Sequence, residues 1–193
     1  GASGVGKTTL CSLIPRFYEV NEGKILLDGR NIRDISIRSL RRNIGIVQQD
    51  VYMFSGTVAD NIRYGKLDAS REEVIEAARK ANAHDFIMQL PDGYDTDIGQ
   101  RGVKLSGGQK QRIMLARALA LNPKILLLDD FTSRVDRTTE NKILCNLLNN
   151  YPELTLISVT QKISPVRHFE QIILLMEGEV VAAGRHRELK ESS

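Results

Sequence analysis

The stretch LSGGQKQRIMLARALALNPKILLLDDFTSRVD, residues 105–136, decides the fold. It holds three signals in the length of a helix that feeds a strand through a short turn. Leu105, Ser106, Gly107, Gly108 and Gln109 place a serine and two glycines just ahead of a helical pattern. Residues 125–130, ILLLDD, are a wholly apolar run that ends in two acids, and the polar loop FTSRVD follows. A continuous apolar run of this length reads as a strand buried on both faces. Such a strand delivers Asp129 and Asp130 to its C-terminal edge, where carboxylates can hold a metal and a water beside a phosphate.

The first nine residues, GASGVGKTT, supply the complementary half. Gly1, Gly6, Lys7 and Thr8 fit G-x-x-x-x-G-K-[ST], a phosphate loop. Its glycines let backbone N–H groups curl around phosphate oxygens, and the helix that follows adds its dipole. Gly1, Ser3, Gly4, Val5, Gly6, Lys7, Thr8 and Thr9 are the expected nucleotide-binding residues. Lys7 is expected to reach the β- and γ-phosphates, and the Thr8 hydroxyl to bind Mg2+. The next helix shows Leu10, Leu13, Ile14 and Phe17 at helical spacing, a stripe expected to face the core. A phosphate loop is aimed by a preceding strand, and none precedes Gly1, so the chain reads as a piece of a longer protein truncated at its N-terminus.

Between these two ends, residues 24–28 read as a strand that turns at Asp28 and Gly29. A short helix over residues 36–43 carries Arg38, Arg41 and Arg42 on an expected solvated face. Residues 44–47 form a short apolar strand running into Gln48, Gln49 and Asp50. Gln49 is placed to ligate Mg2+ through its amide oxygen; the alternative is an exposed loop residue. From residue 51 to about 102 helical periodicity dominates, with Val74, Ile75, Ala77, Ala78 and Ala81 in one segment and Phe86, Ile87 and Leu90 in the next. Pro91, Asp92 and Gly93 mark a loop, and TDIGQRG leads into the LSGGQ segment. Beyond residue 136, residues 138–150 read as a helix and 154–159 as a strand. Residues 171–176 and 179–183 read as a hairpin and the tail as a short polar helix.

Composition bounds the class. The chain has 193 residues, 41% hydrophobic, with 27 basic against 24 acidic side chains and a net charge of +3. That size and apolar content fit one α/β domain with an inserted subdomain, and so mild a charge is no footprint of a nucleic-acid binder. Cys11 and Cys145 lie in separate helical patterns without metal spacing, and are expected to be buried free thiols in a reducing compartment. No apolar run reaches the length of a membrane span and there is no signal peptide, so the fragment reads as soluble.

LSGGQ after a phosphate loop and before ILLLDD resembles the nucleotide-binding domain of ABC transporters, in order and over all 193 residues. FSGTVADNI after Gln49 and TDIGQRG before the signature resemble the exporter branch. The resemblance implies an α/β P-loop NTPase core, a RecA-like mixed sheet with flanking helices, formed by residues 1–50 and 116–193. A helical subdomain carrying the signature would occupy residues 51–115. It further implies ATP and Mg2+, with Thr8, Gln49 and Asp129 at the metal and Asp130, Gln161 and Gln49 catalytic. The loop ending at Asp136 corresponds to the D-loop along a dimer interface. Ser106, Gly107, Gly108 and Gln109 would serve the nucleotide of a second ABC domain in trans. A transmembrane domain fused upstream and a location on the cytoplasmic face of the cell membrane are also implied, with no nucleic acid. The family's adenine-stacking aromatic would lie upstream of residue 1.

Two departures from the family pattern fall on one site. Asp130 stands where a glutamate is usual, one methylene or about 1.5 Å shorter, and misplacing a catalytic group by ~1 Å can cost ~10²-fold in rate. Gln161 stands where a histidine is usual; its amide can donate to the γ-phosphate but carries no proton or charge. Arg134 replaces a small D-loop residue, either pointing to solvent or meeting the interface. The expectation is one half of a heterodimeric exporter with a slow, degenerate own site and an intact signature for its partner. The alternatives are a homodimeric exporter with a competent own site and a non-hydrolysing nucleotide-gated regulatory module. A GTPase is disfavoured because Asn141 and Lys142 continue as Ile-Leu, not a base-reading motif. A DNA-repair ATPase is disfavoured because the helical insertion leaves no room for coiled-coil arms.

Overall fold

In the computed structural model residues 6–99, 102, 104–162 and 164–191 are described. Gly1, Ser3, Gly4 and Val5 of the expected phosphate loop lie outside them, as do Gln100 and Arg101. The chain runs through α1 (Lys7–Leu13), a hairpin of β1 (Leu26–Leu27) and β2 (Arg30–Asn31), α2 (Ile37–Arg42) and β3 (Ile44–Val47). Three helices follow, α3 (Val58–Arg63), α4 (Arg71–Lys80) and α5 (His84–Met88), and then α6 (Gly107–Ala120) leads into β4 (Ile125–Asp129). After α7 (Arg137–Asn150) come β5 (Thr155–Val159), the hairpin β6 (Ile172–Met176) and β7 (Glu179–Gly184), and α8 (His186–Glu191).

β3, β4 and β5 pair in parallel in that order, with Ile44 opposite Ile125 and Asp129 opposite Val159. The antiparallel strands form separate two-stranded hairpins, and an isolated antiparallel bridge pairs Thr57 with Asp97. All five residues of β4 are buried, as befits a central strand of a parallel sheet. Its side chains alternate between two cores. Leu126 and Leu128 enter the larger one with Val47 and with Ile143, Leu144 and Leu147 of α7. Ile125 and Leu127 enter a smaller one with Ile32, Leu40 and Ile44. Each such leucine contributes about 1.5–3 kcal/mol by leaving water.

The helices begin where the sequence supplies caps. Thr57 with Asp60, Ser70 with Glu73 and Ser106 with Gln109 each form a reciprocal capping box, which satisfies two otherwise orphaned N–H groups per helix. α2 matches the expected segment, with Ser36 accepting from the Ser39 N–H at its start. The hairpins match at Asp28–Gly29 and Glu177–Gly178, all four residues at positive φ. α6 runs unbroken across residues 115 and 116. Among the described residues no helix is long and apolar enough to cross a membrane.

Three expectations are corrected. Leu10 and Phe17 are 46% and 45% exposed, whereas Cys11 is buried. α1 ends at Leu13, so Phe17 leaves the helical register, and the helix presents Cys11, not Leu10, to the core. Arg41 is not merely solvated: its guanidinium donates to the Pro15 and Arg16 carbonyls at 2.9 and 2.8 Å and lies over the Phe17 ring. Cys145 is exposed while Cys11 alone is buried, because the core side of α7 is taken by Ile143, Leu144 and Leu147.

Candidate functional site

The C-terminal edge of the parallel sheet opens into a cavity of about 200 Å³. Gly6, Lys7, Thr8 and Thr9 enter it from the start of α1, Gln49 from beyond β3, and Asp129 and Asp130 from the end of β4. Val159, Thr160 and Gln161 come from the end of β5. Every described residue expected at the chain's own nucleotide therefore meets at one place. Parallel strands with short exits produce this gathering, since each strand ends on the same side of the sheet.

Gly6 caps α1 at φ 93 with no side-chain cap, a left-handed conformation that glycine adopts without steric cost. α1 packs on β4 through Cys11, whose thiol is pushed up to about 12, first by burial and then by the negative charge of Asp129. That contact sets Thr8 beside the end of β4. The Thr8 hydroxyl, Gln49 amide oxygen and Asp129 carboxylate are an all-oxygen donor set with one carboxylate. The set fits Mg2+, which takes one or two carboxylates and completes its shell with water and phosphate oxygen.

Asp130 occupies the left-handed region at φ 43, uncommon for a residue with a side chain and enriched at functional sites. Its backbone N–H donates to the Val159 carbonyl at 2.9 Å, tying the end of β4 to β5. Burial, and then the charge of Asp129, push its carboxyl above the usual aspartate range, while Lys162 and Lys7 pull it back. Gln161 is exposed, in a turn closed by the Lys162 N–H donating to Thr160 Oγ1 at 3.0 Å.

The signature residues do not join this cavity. Ser106 and Gln109 cap α6 through each other, the Ser106 N–H donating to Gln109 Oε1 at 2.9 Å. Gly107 and Gly108 lie against the turn Phe131–Arg134: a Cβ on Gly107 would come 3.3 Å from Arg134 Cδ, and one on Gly108 would come 3.0 Å from the Arg134 carbonyl oxygen. The glycines thus let the backbone of α6 approach the segment leaving β4, and Arg134 lies exposed with its stem against Gly107. Asp136 also stands apart from the cavity, as the N-cap of α7 accepting from the Thr139 N–H at 2.9 Å.

Buried polar residues outside the cavity escaped the sequence reading. Asn61 is fully buried; its Oδ1 accepts from the Phe54 N–H and its Nδ2 donates to the Phe54 and Thr57 carbonyls. Arg117 of α6 donates to the Asn61 carbonyl and Oδ1 and to the Tyr52 carbonyl, stacked over Phe54. Together they clamp the segment downstream of Gln49 onto α3 and α6. Glu140 of α7 is also buried and faces Lys162. The local signal for both was only a polar residue inside an apolar helical face.

Comparison with known proteins agrees with this geometry. The profile of the family described as "ABC transporter" matches residues 1–133. A protein of Staphylococcus aureus (strain NCTC 8325 / PS 47) named "Putative multidrug export ATP-binding/permease protein" is 52% identical over 189 residues, covering 98% of this chain and 33% of that protein. Its counterpart in the bovine strain RF122 / ET3-1 is 51% identical over the same share. A solved structure of a bacterial Atm1-family ABC exporter with ATP bound matches at a TM-score of 0.95 and 44% identity, over 100% of this chain and 34% of that one. The chain spans about a third of the length of these relatives. With fold, cavity and relatives in agreement, the chain belongs to the ABC transporter family and is an ATP-binding domain of the exporter type.

Proposed function

We propose that this domain powers export across a membrane by closing with a second ABC domain around ATP and hydrolysing it. The observation that carries the reading is the single cavity lined by Lys7, Thr8, Gln49, Asp129, Asp130 and Gln161. Lys7 and the N–H groups opening α1 hold the β- and γ-phosphates. Thr8, Gln49 and Asp129 hold Mg2+, which when bound neutralises charge on the phosphates. Asp130 accepts a hydrogen bond from the attacking water, and the Gln161 amide donates to the γ-phosphate. Water adds to the γ-phosphorus as its bond to the β–γ bridging oxygen breaks, leaving ADP and phosphate. The exposed start of α6, with Ser106, Gly107, Gly108 and Gln109, faces the second domain's ATP, and Asp136 lies along the contact. The fused membrane-spanning part of the relatives points to a like arrangement here, with this domain on the cytoplasmic face.

The own site is slow, and the second domain is a different subunit. Asp130 is one methylene short for water activation, and Gln161 cannot carry a proton, whereas the signature is intact. Turnover of the intact, co-purified complex tests this. Asp130→Asn is expected to lower steady-state ATPase by less than about twofold, because the partner's site carries the turnover. Abolition of turnover, in a complex whose native mass shows one chain type, would overturn it. The second reading is a homodimer with a working own site. It is favoured by one observation, that the Asp130 carboxylate lies in the same cavity as Lys7, Thr8 and Gln161, where a base for the attacking water would have to stand.

A further inference from the structure

The buried carboxylate of α7 has no part in the chemistry above. Glu140 is 2% exposed, and its Oε1 has no hydrogen-bond partner among the described residues. Its Oε2 faces Lys162 Nζ at 3.5 Å, beyond the roughly 2.7–2.9 Å of a tight charge-assisted bond. A carboxylate so placed is costly unless a cation answers it, so Lys162 is drawn toward α7. Among the described residues the pair is made through Oε2 alone, at a distance that leaves room to tighten.

Each end of the pair is fastened to a piece of the site. Lys162 follows Gln161 directly and closes the turn that carries it, through its N–H to Thr160 Oγ1. Glu140 stands in the first turn of α7, its N–H donating to the carbonyl of Asp136, whose carboxylate caps that same turn. Asp136 is exposed, on the segment that leaves Asp130.

We infer that Glu140 is a positioning residue, which through Lys162 ties the turn bearing Gln161 to the Asp136-capped start of α7, so that the segment facing the second domain sets where Gln161 stands over the cavity. The inference rests on the proposed hydrolytic site. Glu140 touches neither nucleotide nor water and acts only by placement. Breaking the tether therefore changes the hydrolytic step and spares nucleotide binding.

The test uses the intact transporter and single-turnover hydrolysis of labelled ATP. The slower phase, or the only phase if both sites are alike, reports this chain's site. Glu140→Gln, which keeps the Lys162 charge beside Asp130, is expected to slow that phase about 10-fold while the Kd of a non-hydrolysable ATP analogue stays within about twofold, since the loss is one of placement. Lys162→Met, which removes that charge as well as the tether, should slow it at least as much. Lys162→Arg should restore the rate to within about threefold, because it keeps the cation. Amide hydrogen exchange over residues 159–162 should quicken in both tether-breaking variants and not in Lys162→Arg. An unchanged slow phase in Glu140→Gln, which leaves no buried charge without its cation, would overturn the inference. So would equal loss of rate and analogue affinity, or unchanged exchange. A wild-type complex that binds ATP but never hydrolyses it removes the proposed reaction instead, and the exchange measurement then still decides the tether.

Discussion

Asp130 concentrates the residue-scale questions, since its backbone is held in the left-handed region while its carboxyl stands in a cavity beside a second acid. The Val159 carbonyl fixes its N–H, so a longer side chain there reaches further without moving the main chain. Asp130→Glu is accordingly expected to speed the slow phase of single-turnover hydrolysis by about 10-fold or more; an unchanged rate would show that reach is not what limits this site. The two thiols separate cleanly as well. Cys145 is exposed and Cys11 buried with its thiol pushed up to about 12, so a maleimide should modify Cys145 in the folded protein and Cys11 only after denaturation. Modification of Cys11 at a comparable rate under native conditions would count against the packing of α1 on β4. Gly6, Lys7, Thr8, Asp129 and Asp130 were legible because they lie in short local patterns tied to backbone geometry. Glu140 and Lys162 were not, because nothing in either residue's neighbourhood names the other, and only the packing of α7 brings them together.

At the scale of elements, the helical region is held by one close approach and one buried clamp. A Cβ on Gly65 would run into the Arg117 carbonyl oxygen of α6, so α3 and α6 come together only because that position lacks a side chain. Gly65→Ala is expected to cost about 1–3 kcal/mol, a fall of several degrees in Tm for a domain of this size; a Tm within about one degree of the parent would refute the close docking. Asn61 and Arg117 hold the neighbouring segment, and because that segment follows Gln49 the clamp bears on the cavity lining as well as on stability. The central strand and the capped helices were readable from apolar runs and Ser/Thr/Asp caps. The orientation of α1 was not: periodicity marks a stripe but not what covers it, and Leu10 and Phe17 stayed exposed.

On the scale of the whole molecule, folding leaves many carboxyls below their usual values. Glu19 is held down by a hydrogen bond from Arg16, Asp60 by Thr57, Glu73 by Lys66, Asp95 by Arg71 and Asp136 by Thr139. The unfolded chain therefore binds more protons in acid, so this stability is present above the ordinary carboxylate pKa and is lost as pH falls through the depressed native values. Asp130, shifted upward, works in the opposite sense. Tm is expected to drop between about pH 5 and pH 3, and salt should weaken the paired share of Glu19, Glu73 and Asp95 more than the helix caps. A flat Tm across that range would contradict the assignment. Helix α6 adds a constraint of another kind. Its fourteen residues run without a break from the glycines pressed on Arg134 to the turn that feeds β4. Each residue of an α-helix turns the chain by about 100°, so inserting or deleting one within α6 would swing Gly107 and Gly108 off Arg134 while β4 stayed in place. In this segment the count of residues is constrained as tightly as their identity. Length variation among functional relatives should therefore fall in the connections between helices and spare α6.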